Sequence, residues 1–177
     1  MANFKRILII GSAGSGKTVL ANELAKQLNI NVVHLDKIYW NSNWHKKDDV
    51  TCFNLTKAII KDDEWILDGN YIQTLDQRLE KADLVIFLKI NRFKCIKSLF
   101  KRRRLTRKKL IQRDDLAVGC VDQLNFHFLK WAFNFNNEYA PKLMAKISKY
   151  PHLKVVTFNK REQANAFINQ LIEGEIK

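Results

Sequence analysis

The chain has 177 residues, enough for one domain whose core needs no disulfide or metal staples. Hydrophobic residues make up 46% and charged residues 28%, the balance of a globular chain, and no run of about 18 apolar residues exists to span a membrane. Thirty-one Lys and Arg against 18 Asp and Glu leave a formal net charge of +13, which attracts polyanions such as nucleotides, nucleic acid or anionic surfaces without choosing among them.

Residues 1–4 lead directly into the first apolar run and leave no room for a signal peptide, so a cytoplasmic location is expected. That run, residues 7–10, reads as a buried strand. Gly11-Ser12-Ala13-Gly14-Ser15-Gly16-Lys17-Thr18 follows and matches G-x-x-x-x-G-K-[ST], the phosphate-binding loop. Glycines let the backbone turn tightly and bring its N–H groups close to a phosphate, and those groups form an anion-binding nest at the positive end of the next helix. Lys17 can reach the β- and γ-phosphates of ATP, and the Thr18 hydroxyl can ligate the accompanying Mg2+. Val19, Leu20, Ala21, Leu24, Ala25 and Leu28 recur at helical spacing and place that helix from about Gly16.

Residues 31–36 read as a second strand ending in Asp36. Ligands in open α/β sheets sit beyond the carboxyl ends of strands, so Asp36 is expected in the same crevice as the loop. There it can ligate magnesium through water or hold and deprotonate a substrate hydroxyl, or it is a helix-capping carboxylate. Tyr39, Trp40 and Trp44 come next, and the two tryptophans either pack in the core or stack on a planar acceptor and cover the site. An amphipathic helix is predicted from 48 to about 61, then a third strand from 64 that ends in Asp68-Gly69-Asn70-Tyr71. Asp68 is the stronger magnesium candidate, because phosphate-binding loops pair with an acidic residue at the end of a neighbouring strand; the alternative is an Asp-Gly turn.

A short helix over 74–80 carries Arg78, and 82–90 is the clearest buried strand. A long basic helix begins near Arg92 and runs into 101–113, where no acidic residue appears until Asp114. This run is a solvated face, a nucleic-acid or polyanion patch, or a set of arginines that closes over a transferring phosphoryl group. Segment 101–120 is read as a lid on a single domain spanning 1–177. The aromatic stripe Leu124, Phe128, Trp131 and Phe135 is expected to pack in the core, a helix is expected from Pro141 to Tyr150, a last strand over 153–158, and a closing helix from Arg161. Cys52, Cys95 and Cys120 form no C-x-x-C pair and read as small buried hydrophobes, while His34, His45, His127 and His152 lack metal-ligand spacing.

Taken together, residues 11–18, His34-Leu35-Asp36, 65–71 with Thr74, Asp76 and Arg78, and Phe128-Leu129-Lys130-Trp131 resemble the adenylate-kinase-related P-loop kinases, and within them the group labelled DNA topology modulation proteins, the flagellar-regulator-like group. The resemblance implies a three-layer α/β/α P-loop fold, with a five-stranded parallel sheet of order 2-3-1-4-5 and an arginine-bearing helical lid. In adenylate kinases an Asp-Gly-Phe-Pro-Arg segment follows the third strand, its Asp near magnesium and its Arg on the substrate phosphate. Here Asp68-Gly69 match, Asn70-Tyr71-Ile72 replace Phe-Pro-Arg, and Arg78 is the expected substitute for the missing arginine. Arg102 and Arg103 match lid arginines that contact donor phosphates. The expected activity is phosphoryl transfer from magnesium-ATP, with Lys17, Asp36, Arg102 and Arg103 catalytic, Arg113 a further candidate to close over the phosphates, and Asp36, Trp40, Asn70 and Arg78 toward a small-molecule acceptor. The alternative is a nucleotide-regulated DNA-binding protein, or an NTPase, that uses the basic run at 101–113.

Overall fold

In the computed structural model, which describes residues 4–121 and 124–172, the apolar run at 7–10 is the middle of a parallel sheet. The expectation about the amino terminus rests on residues 1–3, which lie outside the described residues. Strand β1 (Arg6–Gly11) leads through the phosphate loop into α1 (Lys17–Leu28), then β2 (Val32–His34) and α2 (Leu35–Tyr39). A two-stranded antiparallel ribbon, β3 (Trp40–Asn41) and β4 (His45–Lys46), encloses a 3-10 turn at Ser42–Trp44. The chain continues through α3 (Asp49–Ile59), β5 (Trp65–Asp68), α4 (Leu75–Lys81), β6 (Leu84–Leu88), α5 (Arg92–Arg107), α6 (Phe126–Glu138), α7 (Ala140–Ile147), β7 (Lys154–Phe158) and α8 (Arg161–Ile172).

The main sheet has the order β2-β5-β1-β6-β7 with every pair parallel. Counting only its own strands in chain order, this is the 2-3-1-4-5 arrangement the resemblance implies. Side chains on a strand alternate between faces, and β1 divides accordingly. Ile7 and Ile9 join one core with Leu20 and Leu24 of α1 and Ala164 and Ile168 of α8. Leu8 and Ile10 join the other, with Leu35 and Tyr39 of α2, Leu75 and Leu79 of α4, Phe135 of α6 and Leu143 of α7. Because both faces are covered, β1, β5 and β6 read as continuous apolar runs rather than as alternating patterns. No helix among the described residues is long and apolar enough to cross a membrane.

Three local expectations change. The second strand stops at His34, because Leu35, Ile38 and Tyr39 are all buried at helical spacing, so Asp36 lies in the first turn of α2 and not at a strand end. The stripe on α6 divides: Phe135 is in the core, whereas Phe128 and Trp131 are half-buried on the wall of a cleft. The basic segment is helical only to Arg107, and the loop that follows reaches the ribbon, where Cys120 Sγ donates to Asn41 O at 3.4 Å and Trp44 Nε1 donates to Val121 O at 2.9 Å.

The phosphate loop is held from behind by α5. Gly14 has φ +75°, and a Cβ there would lie 2.4 Å from the carbonyl oxygen of Cys95. Gly14→Ala is therefore expected to destabilise the fold by about 2–3 kcal/mol in chemical denaturation, since the backbone of α5 has to give way.

Candidate active site

A cleft of about 1580 Å³ opens beyond the carboxyl ends of the sheet strands. Ligand pockets usually measure about 300–1,000 Å³, so the space suits two ligands side by side. One wall comes from the phosphate loop, α5 and α8; the other comes from α2 and its ribbon, the turn after β5, α6 and α7; the loop after α5 crosses between them.

The loop from Gly11 runs into the N-terminus of α1 with Gly16 at the cap position, which leaves the N–H groups of the first helical turn for an anion. Its position is fixed on several sides. Ser12 Oγ donates to Ala132 O of α6 at 2.9 Å. Arg161, the first residue of α8, donates to Ser15 O at 2.9 Å, to Gly14 O at 2.6 Å and to Ser98 Oγ at 2.8 Å. Lys17 Nζ donates to Ser12 O at 3.0 Å, which keeps the ammonium over the loop. The Ser15 hydroxyl is buried without a partner among the described residues.

Parallel register sets the next group. Asp68 of β5 pairs with Ile9 on one side and His34 on the other, so it stands directly beside the loop. Its Oδ2 accepts from the Thr18 hydroxyl at 2.7 Å and lies 3.1 Å from His34 Nδ1, while its Oδ1 is buried and unpartnered among the described residues. Asp115 Oδ2 lies 3.5 Å from the Thr18 hydroxyl oxygen. These oxygens fit a magnesium ion: Thr18 gives its proton to Asp68 and keeps its lone pairs, and Asp68 has one oxygen uncommitted. Among the described residues no three His, Cys, Asp or Glu side chains form a metal cage; magnesium bound with phosphates uses one or two protein oxygens.

Asp36 faces the same cleft. Tyr71 donates its hydroxyl to Asp36 Oδ1 at 2.5 Å, and Trp40 Nε1 donates to that Tyr71 oxygen at 2.8 Å. Burial pushes the Asp36 carboxyl above its ordinary pKa, and the neighbouring Asp68 and Asp115 charges add to this, against the Tyr71 bond and Lys17. Burial, then the Asp36 charge, pushes the Tyr71 phenol far up, so Tyr71 stays a donor. Burial alone would raise Asp115, but paired Arg113, whose Nε lies 2.7 Å from its Oδ1, outweighs that and holds it below the usual carboxylate range.

Several expected site residues stand elsewhere. Arg78 does not face an acceptor. It is fully buried and donates to the carbonyl oxygens of Gly69, Asn70, Tyr71 and Thr74, bracing the turn after β5 from beneath. Burial lowers its pKa to about 10, which leaves it charged at neutral pH. Asn70 is also engaged with the backbone: its amide accepts from Gly11 N at 3.0 Å and donates to Gly11 O at 2.9 Å, tying that turn to the phosphate loop. Arg102 lines the cleft, but Arg103 does not. Successive helical residues are turned by about 100°, so Ser98, Lys101, Arg102 and Leu105 share the cleft face, while Arg103 lies with Phe100, Arg104 and Arg107 on another. Trp40 lines the cleft and meets Trp44 edge-on at 5.4 Å.

No protein-family model matches the sequence, and no curated protein matches it. Solved structures do. Shikimate kinase from Acinetobacter baumannii in complex with shikimate superimposes with a TM-score of 0.59 at 15% identity, over 99% of this chain and 97% of that one. Deoxyadenosine kinase from M. mycoides with bound dATP gives 0.52 at 15% identity, over 94% and 98%. Shikimate kinase from Bacteroides thetaiotaomicron gives 0.53 at 18% identity, over 97% and 98%. The fold is that of the P-loop kinases. In this P-loop kinase fold, Tyr71, Asp115 and Arg161 are the site residues that sequence reasoning left without a role. The signals were weak. Arg161 follows a strand's carboxyl end, where crevice residues sit, and Asp115 lies two positions after an arginine at the end of the basic run.

The raised Asp36 pKa has a stability consequence. Its folded pKa lies above the unfolded value of 3.8, so ionisation opposes folding; the penalty is absent below the unfolded pKa and complete above the folded one. Asp36→Asn, which still accepts from Tyr71, is expected to raise the melting temperature at neutral pH and to lose that advantage at acidic pH, as scanning calorimetry at several pH values will show.

Proposed function

We propose that the chain is an ATP-dependent phosphotransferase that moves the terminal phosphoryl group onto a hydroxyl of a small acceptor. One observation carries this reading: the Thr18–Asp68 pair beneath the phosphate loop shares a cleft with the half-buried, Tyr71-bonded Asp36. The neighbours of like fold are kinases with different acceptors in their names, so they support the reaction type and leave the acceptor open.

The amides of Gly11 to Thr18 cradle the phosphates, and Lys17 exchanges the Ser12 carbonyl for phosphate oxygens as charge builds on them. Thr18, with Asp68 beside it, would hold magnesium, which when bound supplies positive charge against the phosphates. Asp36 orients the acceptor hydroxyl and takes its proton as the new O–P bond forms and the bond to the nucleoside diphosphate breaks. Tyr71 aims that carboxylate, and its hydrogen bond opposes the upward push that burial gives the Asp36 pKa. Arg102 and Arg113, on a lid read as 101–120, neutralise the transferring group and exclude water. Within the P-loop kinases, the segments 65–71 and 128–131 support a place beside the DNA topology modulation group.

Lys17→Ala is expected to lower transfer from labelled ATP by on the order of 10³-fold with the fold intact by circular dichroism; unchanged turnover would remove the mechanism. ATP consumption with no phosphorylated acceptor would instead indicate water as the acceptor. Tyr71→Phe removes the hydrogen bond that lowers the Asp36 pKa, so the acid limb of the kcat/KM profile is expected to move to higher pH.

A second reading, nucleotide-regulated DNA binding, is favoured by the face of α5 turned away from the cleft, where Arg103, Arg104, Arg107 and Lys108 surround exposed Phe100. It requires DNA affinity that falls steeply with salt and is lost when Arg103, Arg104 and Arg107 become Ser.

A further inference from the structure

We propose that the acceptor is a nucleoside: an uncharged molecule that carries a planar base and offers a sugar hydroxyl to Asp36. This rests on the phosphotransferase reading and narrows it. The acceptor wall is built from ring faces. Trp40, Trp44 and Tyr71 line it on the side of α2 and the turn after β5, and Phe128, Trp131 and Tyr139 line it from α6 and its end. The rings are held in place. Tyr71 stacks on buried Tyr39 at 3.7 Å between centroids, Trp40 is fixed by its bond to Tyr71, and Trp131 packs edge-on against Phe135 at 5.5 Å and Tyr139 at 5.8 Å. Half-buried aromatic side chains around an open cleft are suited to stacking on a planar heterocycle, which every nucleobase offers.

The charges of the cleft are distributed in the same sense. Of its guanidiniums, Arg102 and Arg161 come from α5 and α8 on the phosphate-loop wall, and Arg113, on the loop that crosses to the ribbon, is paired with Asp115. On the acceptor wall the lining cations are Lys37 and Lys142, both exposed, with Lys142 lying over the Tyr139 ring at 5.7 Å. The guanidinium best placed by sequence to meet an acceptor phosphate, Arg78, is enclosed beneath the turn and bonded to four carbonyls. Phosphate and carboxylate recognition favours a planar, bidentate guanidinium, and this wall presents ring faces instead. Asp36 and the other carboxylates facing it, Asp68 and Asp115, further disfavour an anion close to the reacting hydroxyl. The reaction then reads simply: the nucleoside hydroxyl loses its proton to Asp36, its oxygen bonds to the γ-phosphorus of ATP, and ADP leaves with the electron pair of the broken P–O bond.

The test uses the full chain. Calorimetry first measures magnesium with a non-hydrolysable ATP analogue. The loaded protein is then titrated with purine and pyrimidine nucleosides, their 5′-monophosphates and a hydroxylated cyclic carboxylate, with tryptophan fluorescence and transfer from labelled ATP read in parallel. We expect nucleosides to quench the fluorescence and to be phosphorylated, and the monophosphates and carboxylate to bind at least 10-fold more weakly. Trp40→Ala and Trp131→Ala are each expected to weaken nucleoside binding roughly 5- to 150-fold, with Trp40→Phe recovering part of the loss and the heat of analogue binding unchanged in all three. Preferred transfer to a monophosphate or to the carboxylate overturns the proposal, as does normal analogue binding with silent nucleosides. No heat from the analogue overturns the phosphotransferase reading itself, and the acceptor assignment with it, so the two failures are distinguishable.

Discussion

The cleft depends on the parallel register of β5 between β1 and β2. That pairing puts Ile9, Asp68 and His34 in one row across the sheet, and the chain leaves β1 immediately after it into the phosphate loop. Asp68 therefore meets Thr18 without any adjustable side-chain reach, and its second partner, His34, is bonded in turn to Asn22 of α1 at 3.1 Å. A strand slipped by one residue would turn Asp68 to the other face of the sheet and break all of these contacts. Two apolar cores on either side of the sheet hold the register, so the chemistry at the strand ends is supported by packing at their middles.

The turn after β5 is the second fixed point. Gly69 has φ +140°, where a Cβ would approach the Leu35 side chain at 2.9 Å, so the turn lies against α2. Arg78 fills the space beneath it and satisfies carbonyls that would otherwise be buried without donors, a burial tolerable for a guanidinium because several acceptors receive its N–H groups. Above, Asn70 clasps Gly11 and Tyr71 carries the bond to Asp36. The turn after β5 thus connects the phosphate loop, Asp68 and Asp36. Arg78, whose N–H groups are committed to these carbonyls, is turned from the cleft, and the rings of Trp40 and Tyr71 line it instead.

Much of this was legible in the chain. The strand, loop and helix at 6–28 are a local pattern whose glycines, lysine and threonine have chemical reasons for their spacing, and Asp68 announces itself by ending an apolar run. The roles of Arg78, Asn70 and Arg103 were not legible, because a side chain's use depends on which groups surround it. Arg78 and Arg102 are both arginines in helices near the site, yet one lies beneath a turn and the other lines the cleft. Asp36 was placed in the correct crevice but on the wrong element, since His34 ends the strand and the apolar spacing of Leu35, Ile38 and Tyr39 turns the chain into a helix.

The sequence by itself determined the chain order of the five sheet strands and of the longer helices, the phosphate-loop motif and one carboxylate beside it, because these rest on hydrophobic periodicity and on motifs that act over a few neighbouring residues. Only the tertiary structure decided which arginines face the cleft, which carboxylate is bonded to a tyrosine thirty-five positions away, and that the rings of the β3–β4 ribbon, the turn after β5 and α6 line one cleft. Those outcomes depend on the register of β5 and on the rotation of each helix about its axis, and both are set by packing between segments far apart in the chain.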